Sequence, residues 1–299
     1  MDRREFLGRA AKTIAVAGIA PSLIQSDVLA KEVRPVSKSK LKKAVVYSML
    51  PGDISMEERF KLAAACGFDG VEAPPIIDLK ECEAMRKAAK AAGIEIHSVI
   101  YGGWGKPLSA ADPKDRAEGE QAVIDGLKGA KAMGADTLLL VPGRVTEDTM
   151  YKDVYERSQA SIRKIIPTAE KLGVVIAVEN VWNNFLLSPM EFARYIDELK
   201  SPFVKAYFDV GNVIGACGFS QDWIRTLGPR IQKLHVKDFK LQTREWKNLL
   251  EGSVNWVEVH KAINEVGYNG YMTAELAGGD AAYLKDVAAR MDKIITGTL

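Results

Sequence analysis

An alternation of short apolar runs with helical stretches, repeated eight times, constrains this chain more than any other feature of its sequence. The pattern predicts strand and helix pairs at Lys43–Ser48 with Ser55–Ala65, Gly70–Ala73 with Leu79–Ala92, Glu95–Ile100 with Pro113–Met133, and Thr137–Val141 with Val154–Leu172. It continues with Val174–Val178 and Pro189–Leu199, Ala206–Phe208 and Gln221–Leu227, Ile231–Val236 and Trp256–Val266, and Met272–Ala274 and Asp280–Ile295. Apolar runs of this length, bounded by turn residues, read as strands buried on both faces in a parallel sheet. Gly67, Gly93, Gly134, Gly173 and Gly267 each close a helix just before the next run, where a left-handed backbone is wanted. Ser188 stands where a helix N-cap should, with Glu191 three residues on. Eight right-handed strand–helix units close into a barrel. The rival, an open doubly wound sheet, lacks a GxGxxG after its first strand and would need too many units. The expectation is an α/β protein, a single-domain (β/α)8 barrel over residues 43–299.

Length and composition agree with that reading and exclude others. The chain has 299 residues, 47% of them hydrophobic and 27% charged, enough for one barrel of about 250 residues with a large core. A net charge of +2, with no basic stripe interleaved with aromatics, argues against nucleic acid as a partner. Cys66, Cys82 and Cys217 give neither a disulfide framework nor CxxC spacing for zinc. The first thirty residues read differently. Arg3-Arg4-Glu5-Phe6-Leu7, a mildly apolar stretch from Ala10 to Ala20, and Val28-Leu29-Ala30 resemble a bacterial twin-arginine export signal. An amphipathic helix with a chance arginine pair is the alternative. Lys12 and Pro21 interrupt the stretch, so no resident membrane span is expected. Residues 31–42 read as a polar linker. The expected location is the periplasm, or the cytoplasm if the signal is unused.

Four residues then stand out by position. Glu179, Asp209, His235 and Glu275 each follow an apolar run directly. Side chains at the carboxyl ends of barrel strands converge on the mouth where such folds do chemistry. Singly, each has an ordinary explanation: an ion pair for Glu179, a turn residue for Asp209, a core histidine for His235. Together at one end of the barrel, three carboxylates and an imidazole suit one divalent cation with mostly oxygen donors, Mn²⁺ first and Mg²⁺, Co²⁺ or Zn²⁺ after it.

The segments Val178-Glu179-Asn180, Phe208-Asp209-Val210-Gly211-Asn212, Leu234-His235-Val236-Lys237-Asp238 and Leu250-Glu251-Gly252-Ser253-Val254-Asn255-Trp256 occur in an order that resembles the xylose isomerase-like TIM-barrel superfamily. The nearest likeness within it is to ketose 3-epimerases and L-ribulose-5-phosphate 3-epimerases, and it runs from about Lys43 to the C-terminus. The resemblance implies that Glu179, Asp209, His235 and Glu275 bind one metal, and that Glu179 and Glu275 are also the catalytic acid/base pair. It implies a small sugar as partner, and a homo-oligomer is an open expectation. Relatives acting on free ketoses carry a histidine three residues after the aspartate, where this chain has Asn212. They also carry a charged pair where this chain has Asn183-Asn184-Phe185.

Around the mouth, Asn183, Asn212 and Lys237 are substrate-binding candidates, since amides and an ammonium can hydrogen-bond sugar hydroxyls. The loop Tyr101–Ser109 adds Trp104, suited to stacking on a sugar face, and Lys106, suited to an anion. Glu72, ending the second run, either reaches the substrate or pairs with Lys43 or Arg144, the ion pair being preferred. His97 is expected in the core or just behind the site residues, and His260 on the surface, away from the mouth. The leading function is a metal-dependent isomerase or epimerase of a ketose or keto-sugar, phosphorylated or not. A lyase or dehydratase acting on oxidised glycosides is the alternative, because β-elimination begins with the same proton abstraction. A DNA-repair nuclease with a trinuclear zinc site would need more histidines than three, and a non-catalytic sugar-binding protein would have no need of all four ligands.

Overall fold

The computed structural model describes residues 41–216 and 218–299. Its strands β1 (Lys42–Val46), β2 (Gly70–Ala73), β3 (Glu95–Gly102), β4 (Thr137–Leu140), β5 (Val175–Glu179), β6 (Val204–Asp209), β7 (Ile231–Val236) and β10 (Tyr271–Ala274) pair in parallel. They form one closed barrel in chain order, β10 returning to β1. Between and after them lie α1 (Met56–Ala65), α2 (Leu79–Ala91), α3 (Pro113–Met133), α4 (Tyr151–Leu172), α5 (Pro189–Glu198), α6 (Val210–Ala216), α7 (Ser220–Leu227), α8 (Trp256–Glu265) and α9 (Ala281–Thr296).

Local chemistry sets the helix boundaries. Ser55 and Glu58 form a reciprocal capping box at the start of α1. Ser188 Oγ accepts from the Glu191 amide at 3.2 Å, and Pro189 opens α5 where a missing N–H costs nothing. The five helix-closing glycines all have positive φ, between 66° and 92°.

Strand alternation divides the buried residues into two sets. Outward residues pack under the helices, as Phe208 does in stacking on Trp223 of α7 with ring centroids 6.0 Å apart. Inward residues fill the barrel itself, where Leu139, Ala177 and Tyr207 form a small separate cluster. Glu179 and Asp209 lie two residues beyond Ala177 and Tyr207, so the same alternation turns them inward one layer higher.

Three differences from the expected elements have physical causes. Lys42, assigned to the linker, begins β1, donating its amide to Gly270 O at 3.1 Å. Helix α6 was not anticipated because it follows β6 with no loop between them, Asp209 ending the strand and capping the helix at once, its Oδ1 accepting from the Asn212 amide at 2.6 Å. The antiparallel pair β8 (Asp238–Lys240) and β9 (Glu245–Lys247) was not anticipated because three-residue strands are too short to show a period. His260, expected at the surface, is half-buried and donates from Nδ1 to Ile294 O at 2.9 Å, joining α8 to α9. The proposed export signal, and the linker as far as residue 40, lie outside the described residues. Among the described residues, no helix is long and apolar enough to cross a membrane.

Candidate metal centre

Strand register brings the four expected ligands together at one mouth. Asp209 stands opposite His235 across β6 and β7, Glu179 opposite Tyr207 across β5 and β6, and the Glu275 amide donates to Val236 O. Asn180 clamps the top of β6: its Nδ2 donates to Asp209 O at 2.9 Å, and its Oδ1 accepts from the Asp209 amide at 2.8 Å. As a result, one donor atom from each of Glu179, Asp209, His235 and Glu275 lies within 4.8 Å of the others. Atoms on opposite sides of a cation with bonds of about 2.0–2.6 Å stand about 4–5 Å apart, so the cluster fits a single ion.

His235 is the hub. Its Nδ1 lies 2.9 Å from Glu179 Oε1, 3.3 Å from Glu275 Oε2 and 3.9 Å from Asp209 Oδ2. Its Nε2 lies 2.5 Å from Glu72 Oε2, and both side chains are fully buried. A carboxylate on the far nitrogen holds the proton there and turns the Nδ1 lone pair toward the cluster, as behind metal-bound imidazoles generally. The ring rests on Tyr207, with centroids 4.4 Å apart.

The electrostatics match a site short of positive charge. Burial pushes the Glu179 carboxyl up to about 7 against the opposing pull of His235. Burial also raises Asp209, with Lys237 pulling the other way. Glu275 is raised by burial too, but the charges of His235 and Lys237 win and hold it below the ordinary glutamate range. Burial alone would lower His235; Glu72 and Glu275 hold it well above its usual value. Lys237 Nζ, 2.9 Å from Asp209 Oδ2 and 2.6 Å from Glu275 Oε2, supplies a local cation. Even so, the buried Asp209 Oδ2 accepts no aligned hydrogen bond despite that close approach. A buried acceptor in that state is one that a bound cation would satisfy.

The mouth above the cluster holds a cavity of about 430 Å³. Trp104, Asn212 and Lys237 line it with Glu179 and Glu275, as the sequence suggested. Three candidates fall elsewhere. Glu72, expected at the substrate or paired with Lys43 or Arg144, lies behind His235, with Ser98 Oγ donating to its other oxygen at 2.9 Å. Lys43 instead pairs with Asp292 at 2.8 Å, and the Arg144 guanidinium sits 5.5 Å over the Trp104 ring. Lys106 turns back to Asp115 and Glu118, at 2.6 and 3.1 Å. Asn183 is spent on tying two loops, donating to Gly143 O on the loop after β4 at 2.7 Å and accepting from the Phe185 amide of its own loop. Asn212 reaches the cavity, yet its Nδ2 is committed to Asn180 O at 2.9 Å.

The sequence reading missed a wall. Trp182 and Trp246 stack with centroids 5.1 Å apart, and Lys237 Nζ lies 5.0 Å over Trp246. Trp182 is fixed by donating its indole N–H to Asn212 O at 2.9 Å. The signal was present in Trp182, three residues past Glu179, but Trp246 reaches the mouth only through the unforeseen β8–β9 pair.

A sequence model of the xylose isomerase-like TIM barrel family matches residues 60–294. The chain belongs to that family. Within curated relatives, SgbU of Escherichia coli strain K12, which bears the provisional name L-ribulose-5-phosphate 3-epimerase, is 26% identical over 245 residues, 76% of this chain and 85% of that one. An uncharacterized protein of Methanocaldococcus jannaschii, MJ1311, is 23% identical over 163 residues, and there the match spans 52% of this chain and only 55% of the relative. The solved D-psicose 3-epimerase with D-tagatose from Clostridium cellulolyticum H10 shares the family fold. It superposes with a TM-score of 0.72 at 21% identity, covering 84% of this chain and 97% of that one.

Proposed function

We propose that this chain is a divalent-metal-dependent isomerase or epimerase of a keto-sugar, with Mn²⁺ the favoured ion. The observation that carries the reading is the convergence of Glu179, Asp209, His235 and Glu275 within 4.8 Å at the barrel mouth. The sugar epimerase names among its relatives point the same way.

When bound, the cation would polarise the substrate carbonyl and offset the negative charge that grows on its oxygen as the neighbouring carbon loses a proton. The chain's own residues do the rest. Glu179, a carboxylate at the cavity that can hold the cation through one oxygen and leave the other free, is suited to take or return the proton. Glu275 is the partner base. A proton removed by one glutamate and delivered by the other to the opposite face inverts the carbon. Lys237 keeps Glu275 ionised and ready to accept. Trp104 and Trp182 enclose the sugar and thin the water around the reacting carbon.

The test is incubation of the Mn²⁺-loaded protein with keto-sugars in deuterated water, read by mass spectrometry. Deuterium uptake without other mass change is expected, and Glu179→Gln and Glu275→Gln should each lower turnover by about 10²–10⁴-fold. Near-normal turnover in both variants would remove the acid/base assignment. Release of water or an aglycone would replace isomerisation by elimination.

A further inference from the structure

The cavity over Glu179 has a neighbour at the barrel mouth. A second cavity, of about 520 Å³, adjoins it, and Lys237, Trp246 and Glu275 line both. The second lobe is further lined by Lys247, Asn248, Leu276, Ala277 and Tyr283. We infer that the substrate is an uncharged keto-glycoside, its keto ring in the lobe over Glu179 and its second unit in a subsite formed by Trp246, Asn248, Ala277 and Tyr283. This inference rests on the proton-transfer chemistry proposed above and names the substrate class for it.

Three observations lead there. The first is size. Small-molecule sites run to about 300–1,000 Å³, and each lobe by itself falls in the lower part of that range. A lone hexose occupying one would leave the other open beside the reacting groups. The second is chemistry. Trp246, Leu276, Ala277 and Tyr283 offer apolar surface suited to the C–H face of a ring, with the Asn248 amide at the edge. Tyr283 is half-buried, and its hydroxyl has no hydrogen-bond partner among the described residues, which leaves it free for a ligand hydroxyl. The third is charge. The cations lining the two lobes are Lys237 and Lys247. Lys237 is held by Asp209 and Glu275, and Lys247 by Glu245 at 2.7 Å. Among the described residues, no uncommitted cation lines either lobe to receive a phosphate, which proteins bind through Arg and Lys.

The class of sugar then follows from bonding. A glycosidic link locks the anomeric carbon, so a glycoside can present a ketone only at another, oxidised ring carbon. Oxidation of a ring alcohol must therefore supply this substrate. The proton taken by one glutamate comes from the carbon beside that ketone, and a proton returns to the same carbon, so the step consumes no oxidant.

The experiment compares phenyl 3-keto-β-D-glucopyranoside, D-fructose and D-fructose 6-phosphate by deuterium uptake with the Mn²⁺-loaded protein. The glycoside is expected to exceed both ketoses in kcat/KM by about 10–100-fold. Ala277→Trp, on an exposed loop, should fill the second lobe and raise KM for the glycoside while leaving exchange of D-fructose unchanged. Tyr283→Phe gives a second readout in the same direction without added bulk. Exchange of D-fructose as fast as of the glycoside, or equal losses for both in Ala277→Trp and Tyr283→Phe, would overturn the inference alone. A preference for D-fructose 6-phosphate would do the same by showing a charged substrate. No exchange with any of the three would overturn the proposed function itself.

Discussion

At the residue scale, Glu72 has the most to say about how the site is built. It has no contact with solvent, and its two oxygens are divided between His235 Nε2 at 2.5 Å and Ser98 Oγ at 2.9 Å. From Ser98 the polar contacts continue through Tyr207 and Thr273 to His97, at 3.4, 3.2 and 3.1 Å, inside the barrel. Burial holds His97 well below its usual pKa, so it ends this chain as a neutral ring. The sequence placed Glu72 next to the end of a strand but could not reveal its partner, since His235 lies 163 residues away and three strands round the barrel, on β7. By contrast the four ligand candidates were legible, because each lies at or next to the end of its own expected strand. Glu72→Gln should keep the barrel folded yet weaken Mn²⁺ binding by about 10–100-fold, the usual effect of losing a carboxylate behind a metal-bound histidine. Isothermal titration calorimetry measures it, and wild-type affinity in the variant would show that Glu72 serves packing alone.

At the element scale, the β8–β9 pair and the loop after it are one unit tied by Asp238. Asp238 Oδ1 accepts from the Phe239 and Val254 amides at 3.0 and 3.1 Å, and Oδ2 accepts from Trp256 Nε1 at 2.8 Å. Gly252 packs directly on that carboxylate, and a Cβ there would collide with Asp238 Oδ1 and with the Phe239 amide. This accounts physically for the Leu250–Trp256 motif read from the sequence: it folds the loop onto Asp238, next to Lys237, and so presents Trp246 to the mouth. Gly252→Ala should destabilise the chain by about 1–3 kcal/mol, the ordinary cost of overpacking a tight contact. Urea denaturation provides the number, and an unchanged midpoint would mean the loop relaxes freely. Helix α6 and β8–β9 escaped the sequence reading for the same reason. Both are too short to show a period, whereas the long helices span several turns and end in closing glycines.

At the scale of the whole molecule, the barrel was readable because eight units repeat one pattern, and each repetition supports the others. The closing of the mouth by Trp182 and Trp246 was not readable, since it depends on packing between loops far apart in the chain. The N-terminal Arg3-Arg4 segment belongs to this scale as well, and we propose that it exports the protein already folded and metal-loaded. Replacing both arginines by lysine should trap precursor in the cytoplasm of a bacterial host, and unaltered fractionation would dismiss the signal. The account as a whole stands on a single cation held by Glu179, Asp209, His235 and Glu275. The most direct measurement is a calorimetric titration of Mn²⁺ into the metal-stripped protein and its His235→Ala variant, with circular dichroism to verify folding. The account predicts one Mn²⁺ per chain in the wild type and an affinity lowered by at least about 100-fold in the folded variant; equal affinity in both, or no Mn²⁺ bound by the wild type, would contradict it.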